Sequence, residues 1–336
     1  MRNMPDNIEL LRLVAGRSVL RQETHSLEEL SEIAMSPCGE GRIMRVVNGT
    51  GEGSMTFYEV MPGVMLTYND FRMEACESGF SLGRECFSVN HCRDGRLEQL
   101  LPGGGYSYLA HGDLKLADLA NHAGRYVFPL AHYQGIAIAF DIDVCEEPIG
   151  RVLGGFPVSV RALKERFCRN NVPYVLHDFS DAEQIFSGLY SVDPALRKPY
   201  AQVKILELLL LLSHMDYRED NQRIRYFHKS HVERVKEARD IMVADLMETC
   251  TVEELARRMD MPITAFKACF KGVYGMPPYA YLRAYRMERA AEALVESDSS
   301  VAEIGMEVGY DSPSKFTAAF KAVMGETPTR YRQQRR

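Results

Sequence analysis

From about Gly39 to Asp143, apolar and polar residues alternate in short runs: GRIMRVV, SMTFYEV, VMLTYNDF, FSVNHC, YSYLAH, RYVFPL and GIAIAFDID. Glycine clusters such as Gly49–Gly53 and Gly103–Gly105 separate them, the latter reading as a hairpin turn. A period of two punctuated by turn residues predicts strands, and about eight short strands predict a jelly-roll or cupin-like barrel. Residues 1 to about 35 read as a helical lead-in.

Beyond the strands the period lengthens. Val158–Arg169 and Asp181–Tyr190 suit short helices. Asp193 and Pro194 then open a longer one, as N-cap and first helical residue. It continues through KILELLLLLSHM and is apolar nearly all round, so it must be buried in a core or against a partner. Its run Leu208–Leu212 suits a dimer seam, a domain interface or a plain core helix. The polar stretch Asp216–Arg225 is the linker candidate.

After the linker the pattern is wholly helical, and one motif occurs twice. In the first copy, about 251–271, Thr251 and Glu254 form a capping box, and Val252, Leu255, Ala256 and Met259 form an apolar stripe. Pro262 breaks that helix, and a second begins at Ile263 or Thr264 with Phe266 and Phe270 inward. In the second copy, about 300–321, Ser300 and Glu303 repeat the box, and Val301, Ile304 and Val308 repeat the stripe. Gly309 suits the C-cap, and Ser312 and Pro313 begin the next helix, with Phe316 and Phe320 inward. Two short helices joined by a tight turn make a helix-turn-helix, whose second helix lies in the major groove. The helix between the copies, 278–297, would be about 30 Å long. That length can hold two recognition helices in successive major-groove segments, about 34 Å apart.

The chain of 336 residues suits two domains, and its 46% hydrophobic and 26% charged residues suit soluble globular ones. Its net charge of −6 does not announce a nucleic-acid binder. The acidity is uneven: His228–Arg336 holds 17 basic and 16 acidic residues, against 23 and 30 in the rest. DNA affinity must therefore come from where the charges point. The eight cysteines contain no CxxC pair, and the N-terminus lacks the apolar core of a signal peptide. Reduced thiols and a cytoplasmic protein are expected. No apolar stretch approaches the ~18 residues of a membrane span.

The C-terminal repeat resembles the AraC/XylS family of transcription regulators. The stretch GMPPYAYLRAYRMERAAEALVESDSSVAEIGMEVGYDSPSKFTAAFKAVMGETPTRYR matches that family's signature, within a resemblance covering Val232 to Arg332. The helix KPYAQVKILELLLLLSHM and the DNA-binding domain after it are similar to the pyochelin-regulator subgroup, which implies a β-rich front domain. The resulting reading is an α+β protein. A cupin-like or jelly-roll sensor domain spans 1–192, a connecting or dimerisation helix and linker 193–220, and an AraC-type DNA-binding domain 228–336. The resemblance implies that one monomer reads two adjacent major-groove segments, and that an activator meets RNA polymerase near the second motif.

Outward positions on the two second helices are the base-reading candidates: Thr264, Lys267 and Ala268 in the first copy, Ser314, Lys315, Thr317 and Ala318 in the second. Lysine can donate to guanine and threonine can meet a thymine methyl. Family members often carry a long polar side chain where Ala268 and Ala318 stand, which shifts weight toward phosphates and DNA shape. Phosphate candidates are Lys271, Arg283, Arg286, Lys321, Arg330 and Arg332. A small-molecule effector in the front domain and a homodimer are expected, with effector-binding residues unknown. The alternatives are control by a protein partner, or a cupin-type metal enzyme fused to a DNA-binding tail. Cupin enzymes carry a His-x-His pair, which His91, His111, His122 and His132 do not form, and His91 beside Cys92 is the nearest approach to a metal site. No Ser-His-Asp context or phosphate-binding glycine loop is present, so no enzyme, cofactor or metal is expected.

Overall fold

The computed structural model describes residues 20–22, 31–78, 85–101, 105–119, 124–152, 154–169, 172–177, 179–218, 227–248 and 250–336. They fall into two units, Met1–Tyr226 and Phe227–Arg336.

The first unit is built on β1 (Leu20–Gln22), β2 (Ser31–Cys38), β3 (Gly41–Asn48), β4 (Gly51–Met61), β5 (Val64–Arg72), β6 (Ala75–Ser78), β7 (Cys86–Leu100), β8 (Tyr106–Ala110), β9 (Leu114–Asp118), β10 (Gly124–Val127), β11 (Tyr133–Asp141) and β12 (Tyr174–Leu176). They form one curled antiparallel half-barrel sheet ordered β1-β2-β3-β4-β5-β11-β7-β10-β6, with β8 and β9 on β7, and β12 on β9. Alternation gives the sheet two unlike faces. Along β11, Ile136, Ile138 and Phe140 point one way and Gly135, Ala137 and Ala139 the other. Leu66, Ile138, Val89, Leu116 and Tyr174 form a cross-strand row on the first face, and all are fully buried.

Helices cover that face: α1 (Ile142–Val152), α2 (Val160–Phe167), α3 (Ser180–Ser191) and α4 (Arg197–Ser213). Ile142, Leu163, Phe186, Ile205 and Leu209 join the sheet residues in one apolar cluster, each such side chain contributing about 1.5–3 kcal/mol. Ser159 caps α2 by accepting from the Ala162 N–H at 3.2 Å. Asp193 likewise accepts from Ala195 at 2.8 Å, at the 3₁₀ turn Pro194–Leu196 that leads into α4. Leu208, Leu209 and Leu212 are spent in this core, while Val203 and Leu210 face outward. A second cluster, including Met44, Phe71, Cys92, Phe128 and Tyr133, fills part of the opposite face.

Two expectations need correction. Of the helical lead-in, residues 1–19 and 23–30 lie outside the described residues, but Leu20–Gln22 and Ser31–Cys38 are strands. Ile33 and Met35 sit opposite Val46 and Met44, and these apolar cross-strand pairs outweigh the helical preference of SEIAM. Conversely, within the strand-like FDID the strand stops at Asp141 and α1 begins at Ile142. Its apolar stripe is only Ile142, Cys145 and Ile149, and Pro148 interrupts it, so the helical signal is faint. Most of the linker candidate, 219–225, lies outside the described residues, as do 103 and 104 of the expected hairpin turn.

The second unit is all helical: α5 (Lys229–Ala244), α6 (Val252–Arg258), α7 (Ile263–Tyr274), α8 (Pro278–Glu296), α9 (Val301–Glu307), α10 (Pro313–Met324) and α11 (Pro328–Arg335). Met287, Ala290, Ala291 and Leu294 of α8 pack against Ile304, Val308, Phe316 and Phe320. No helix among the described residues is long and apolar enough to cross a membrane.

Candidate nucleic-acid interface

Each helix-turn-helix is assembled from its N-cap upward. At α6 the Thr251 hydroxyl accepts from the Glu254 N–H at 3.1 Å, and the Glu254 carboxylate accepts from the Thr251 N–H at 2.8 Å. At α9, Ser300 and Glu303 do the same, at 3.2 and 2.7 Å. These hydrogen bonds from the cap N–H and hydroxyl hold both carboxyls below the usual carboxylate range. The second helices differ: neither α7 nor α10 has a side-chain hydrogen bond at its N-cap, and α10 opens on Pro313, which brings no N–H of its own. Such helix starts are ready partners for phosphate oxygens.

The turns are backbone constructions. Asp260 has φ of 49° between α6 and α7, and Gly309 has φ of 82° between α9 and α10. A Cβ on Gly309 would stand 2.1 Å from the Leu246 carbonyl oxygen, so only glycine fits. Beneath the turns the repeat extends past the motif visible in the sequence. The Phe266 and Phe270 rings lie 5.9 Å apart, and Tyr281 meets Phe270 edge-on at 5.7 Å. Phe316 and Phe320 lie 5.8 Å apart, and Tyr331 meets Phe320 edge-on at 5.4 Å. The start of α8 and the whole of α11 are therefore equivalent parts of two copies. The pairing of Pro278-x-x-Tyr281 with Pro328-x-x-Tyr331 was the available signal.

Thr264, Lys267, Ala268 and Lys271 are exposed on α7, and Ser314, Lys315, Ala318 and Lys321 on α10, with Thr317 half-buried. Lys267 lies 3.9 Å from Glu253, both largely in solvent, a pair worth little. Aligned on their phenylalanines, the copies present Thr264, Ala265, Lys267 and Ala268 against Ser314, Lys315, Thr317 and Ala318. The lysine sits in the first turn of α10 but later in α7, so the two faces offer donors at different heights.

Among the phosphate candidates, Arg283 and Arg330 are exposed, and Arg330 lies 3.6 Å from Glu326. Arg286 is not a surface residue. It is 8% exposed, and its Nη2 donates to the Leu246 carbonyl at 2.6 Å beside the Gly309 turn. Burial lowers its pKa. Arg332 also serves the fold, donating to the carbonyls of Leu294 at 3.0 Å and Ser299 at 2.6 Å and so tying α11 to the end of α8. A sequence shows an arginine's charge but not that carbonyls surround it.

The family comparisons agree with this geometry. A family model described as a helix-turn-helix domain matches residues 255–334. The HTH-type transcriptional regulator ExsA of Pseudomonas aeruginosa is 33% identical over 203 residues, 59% of this chain and 63% of ExsA. A Streptomyces lividans protein named as an AraC-like transcription regulator is 29% identical over 200 residues, 54% of this chain and 62% of the relative. The C-terminal unit belongs to the AraC family. The match spans under two thirds of either relative's length, at 63% and 62%. Among solved structures, the C-terminal domain of AraT, a response regulator from Geobacillus stearothermophilus, is 31% identical over 30% of this chain and 85% of that one, with a TM-score of 0.29.

In the first unit, His91 and Cys92, the nearest approach to a metal site in the sequence, lie on opposite faces of one strand. His91 lies in the row of Ile136 and Leu114 under the helices, stacked on Phe186 at 4.3 Å, with its pKa lowered to about 4 by burial. Cys92, the next residue along the strand, points to the opposite face.

Proposed function

We propose that the chain is a sequence-specific, effector-responsive transcription activator, one monomer of which reads two adjacent major-groove segments. The observation that carries this is the doubled helix-turn-helix with Thr264, Lys267, Ser314 and Lys315 exposed on its second helices. The 19 residues of α8, at ~1.5 Å each, span about 28 Å, close to the ~34 Å between successive major-groove faces. Thr264, Lys267, Ser314, Lys315 and Thr317 read base edges, while Lys271, Arg283, Lys321 and Arg330 hold phosphates. The β-rich first unit takes a small molecule, and the chain works in the cytoplasm as a homodimer that meets RNA polymerase beside the second motif. The names of the curated relatives support transcription control, and the separate β-rich unit supports effector sensing.

Selection of random duplex DNA by the full-length chain, at two salt concentrations, tests the DNA reading. The expected result is two short boxes about 10 bp apart, unlike in sequence because the two helix faces differ. Recovery of only salt-sensitive, sequence-independent binding would overturn it.

A further inference from the structure

The sheet face turned away from the helices is not an ordinary core. Thr67, Ala137, Asn90 and Lys115 stand side by side across β5, β11, β7 and β9, a row about 14 Å long at ~4.8 Å between strands. The neighbouring row on the helix-covered face is wholly apolar. Lys115 is 6% exposed, and the only hydrogen-bond acceptor its ammonium meets among the described residues is Gln99 Oε1, at 2.9 Å. No carboxylate there is paired with it. An ammonium held out of water without a counter-charge is strongly unfavourable, so a buried lysine of this kind is normally matched by an anion.

The surroundings are polar. Thr67 and Asn69 are buried, yet their side chains make no hydrogen bond among the described residues. Asn90 donates to the Ser88 hydroxyl at 3.2 Å and leaves its amide oxygen free. Ala137 and Ala139 lie mid-sheet and remain half-buried, so their methyl groups leave room above them. A floor of small residues edged by unspent polar groups, with a cation at one end, has the composition of a polar ligand site.

We propose that this row is the floor of a binding site for a small hydroxylated carboxylate, its carboxylate on Lys115 and its hydroxyls on Asn90, Thr67 and Asn69. The inference rests on the effector-responsive reading and names the effector's chemical class. Burial lowers the lysine pKa to about 8, which leaves the ammonium mostly charged at neutral pH. Neutral polyols of the same size lack the group that offsets this charge.

Thermal unfolding of the full-length chain decides it, with tartrate, citrate, gluconate and galacturonate at millimolar concentration, each beside a neutral polyol of similar size. At least one acid raises the midpoint by several degrees when present about 100-fold above its dissociation constant. Its polyol partner does not. Lys115→Met abolishes the shift, and Ala137→Phe, which fills the floor and keeps the lysine, abolishes it too. If Lys115→Met does not unfold cooperatively, Ala137→Phe alone decides. The site is overturned if no acid shifts the midpoint, if polyols shift it equally, or if the variants respond like the parent. Duplex selection on the same preparation separates the two readings. Specific DNA binding without an acid response overturns only the ligand site, and an acid response without specific DNA binding overturns only the regulator reading.

Discussion

Lys267 and Lys315 are the two base-reading candidates whose charge can reach a guanine edge, and each stands on the exposed face of a second helix. Lys267→Ala and Lys315→Ala should each weaken binding to a selected site by about 1–3 kcal/mol. Unchanged footprints in both variants would show that other faces of α7 and α10 meet the bases. Arg283 and Arg286 make a sharper contrast, because they lie three residues apart on α8 with opposite fates. Arg286→Ala leaves the Leu246 carbonyl without its donor and should lower stability by about 1–3 kcal/mol. Arg283→Ala should leave the melting temperature alone and flatten the salt dependence of DNA binding. Equal melting temperatures for the two variants would contradict the buried role of Arg286. Lys115 bears on pH. Its folded pKa is lowered to about 8, below the ordinary lysine value of about 10.4. The unfolded chain therefore binds more protons through that window, and this residue's contribution to stability rises as pH climbs from about 8 to about 10.4. Comparing the parent with Lys115→Met by urea unfolding across that range isolates the contribution, and parallel curves would refute it.

At the scale of the element, the two capping boxes set where α6 and α9 begin. Thr251→Ala and Ser300→Ala should each cost about 1 kcal/mol, read as a lower urea midpoint with an unchanged slope. Glu254 and Glu303 have folded pKa values below their unfolded ones. Their contribution is thus complete above the unfolded value of about 4.3 and is lost as pH falls through the folded value. Glu254→Gln should remove part of the acid sensitivity, and an unaltered acid transition would count against the assignment. These elements were legible because a capping box, a proline at a helix start and a repeated pair of phenylalanines are local signals. The β2 strand and α1 were not. SEIAM favours a helix locally and becomes a strand only because Val46 and Met44 stand opposite it. In α1, a three-residue stripe broken by Pro148 acquires its helical form from the core it covers.

For the whole molecule, a rigid α8 between two reading heads predicts strict dependence on spacing. Inserting about half a helical turn of DNA between the selected boxes should abolish specific binding, because it rotates one box to the far side of the duplex. Tolerance of the insertion, seen in a gel shift, would mean that one motif does the reading. The sequence alone determined the division into a β-rich front and a helical end, the doubled motif and the polar faces of its second helices. All of these are written in local period, capping and turn chemistry, which act over a few residues. Only tertiary structure decided which charges are spent inside. Arg286 on Leu246 and Arg332 on Leu294 and Ser299 look from the sequence like any other arginine. Tertiary structure also settled that Leu208, Leu209 and Leu212 belong to the core of the first unit, and that Thr67, Asn90 and Lys115 share one row. Cross-strand neighbours lie far apart along the chain, and the register that joins them is set by the fit of whole faces, which no local pattern records.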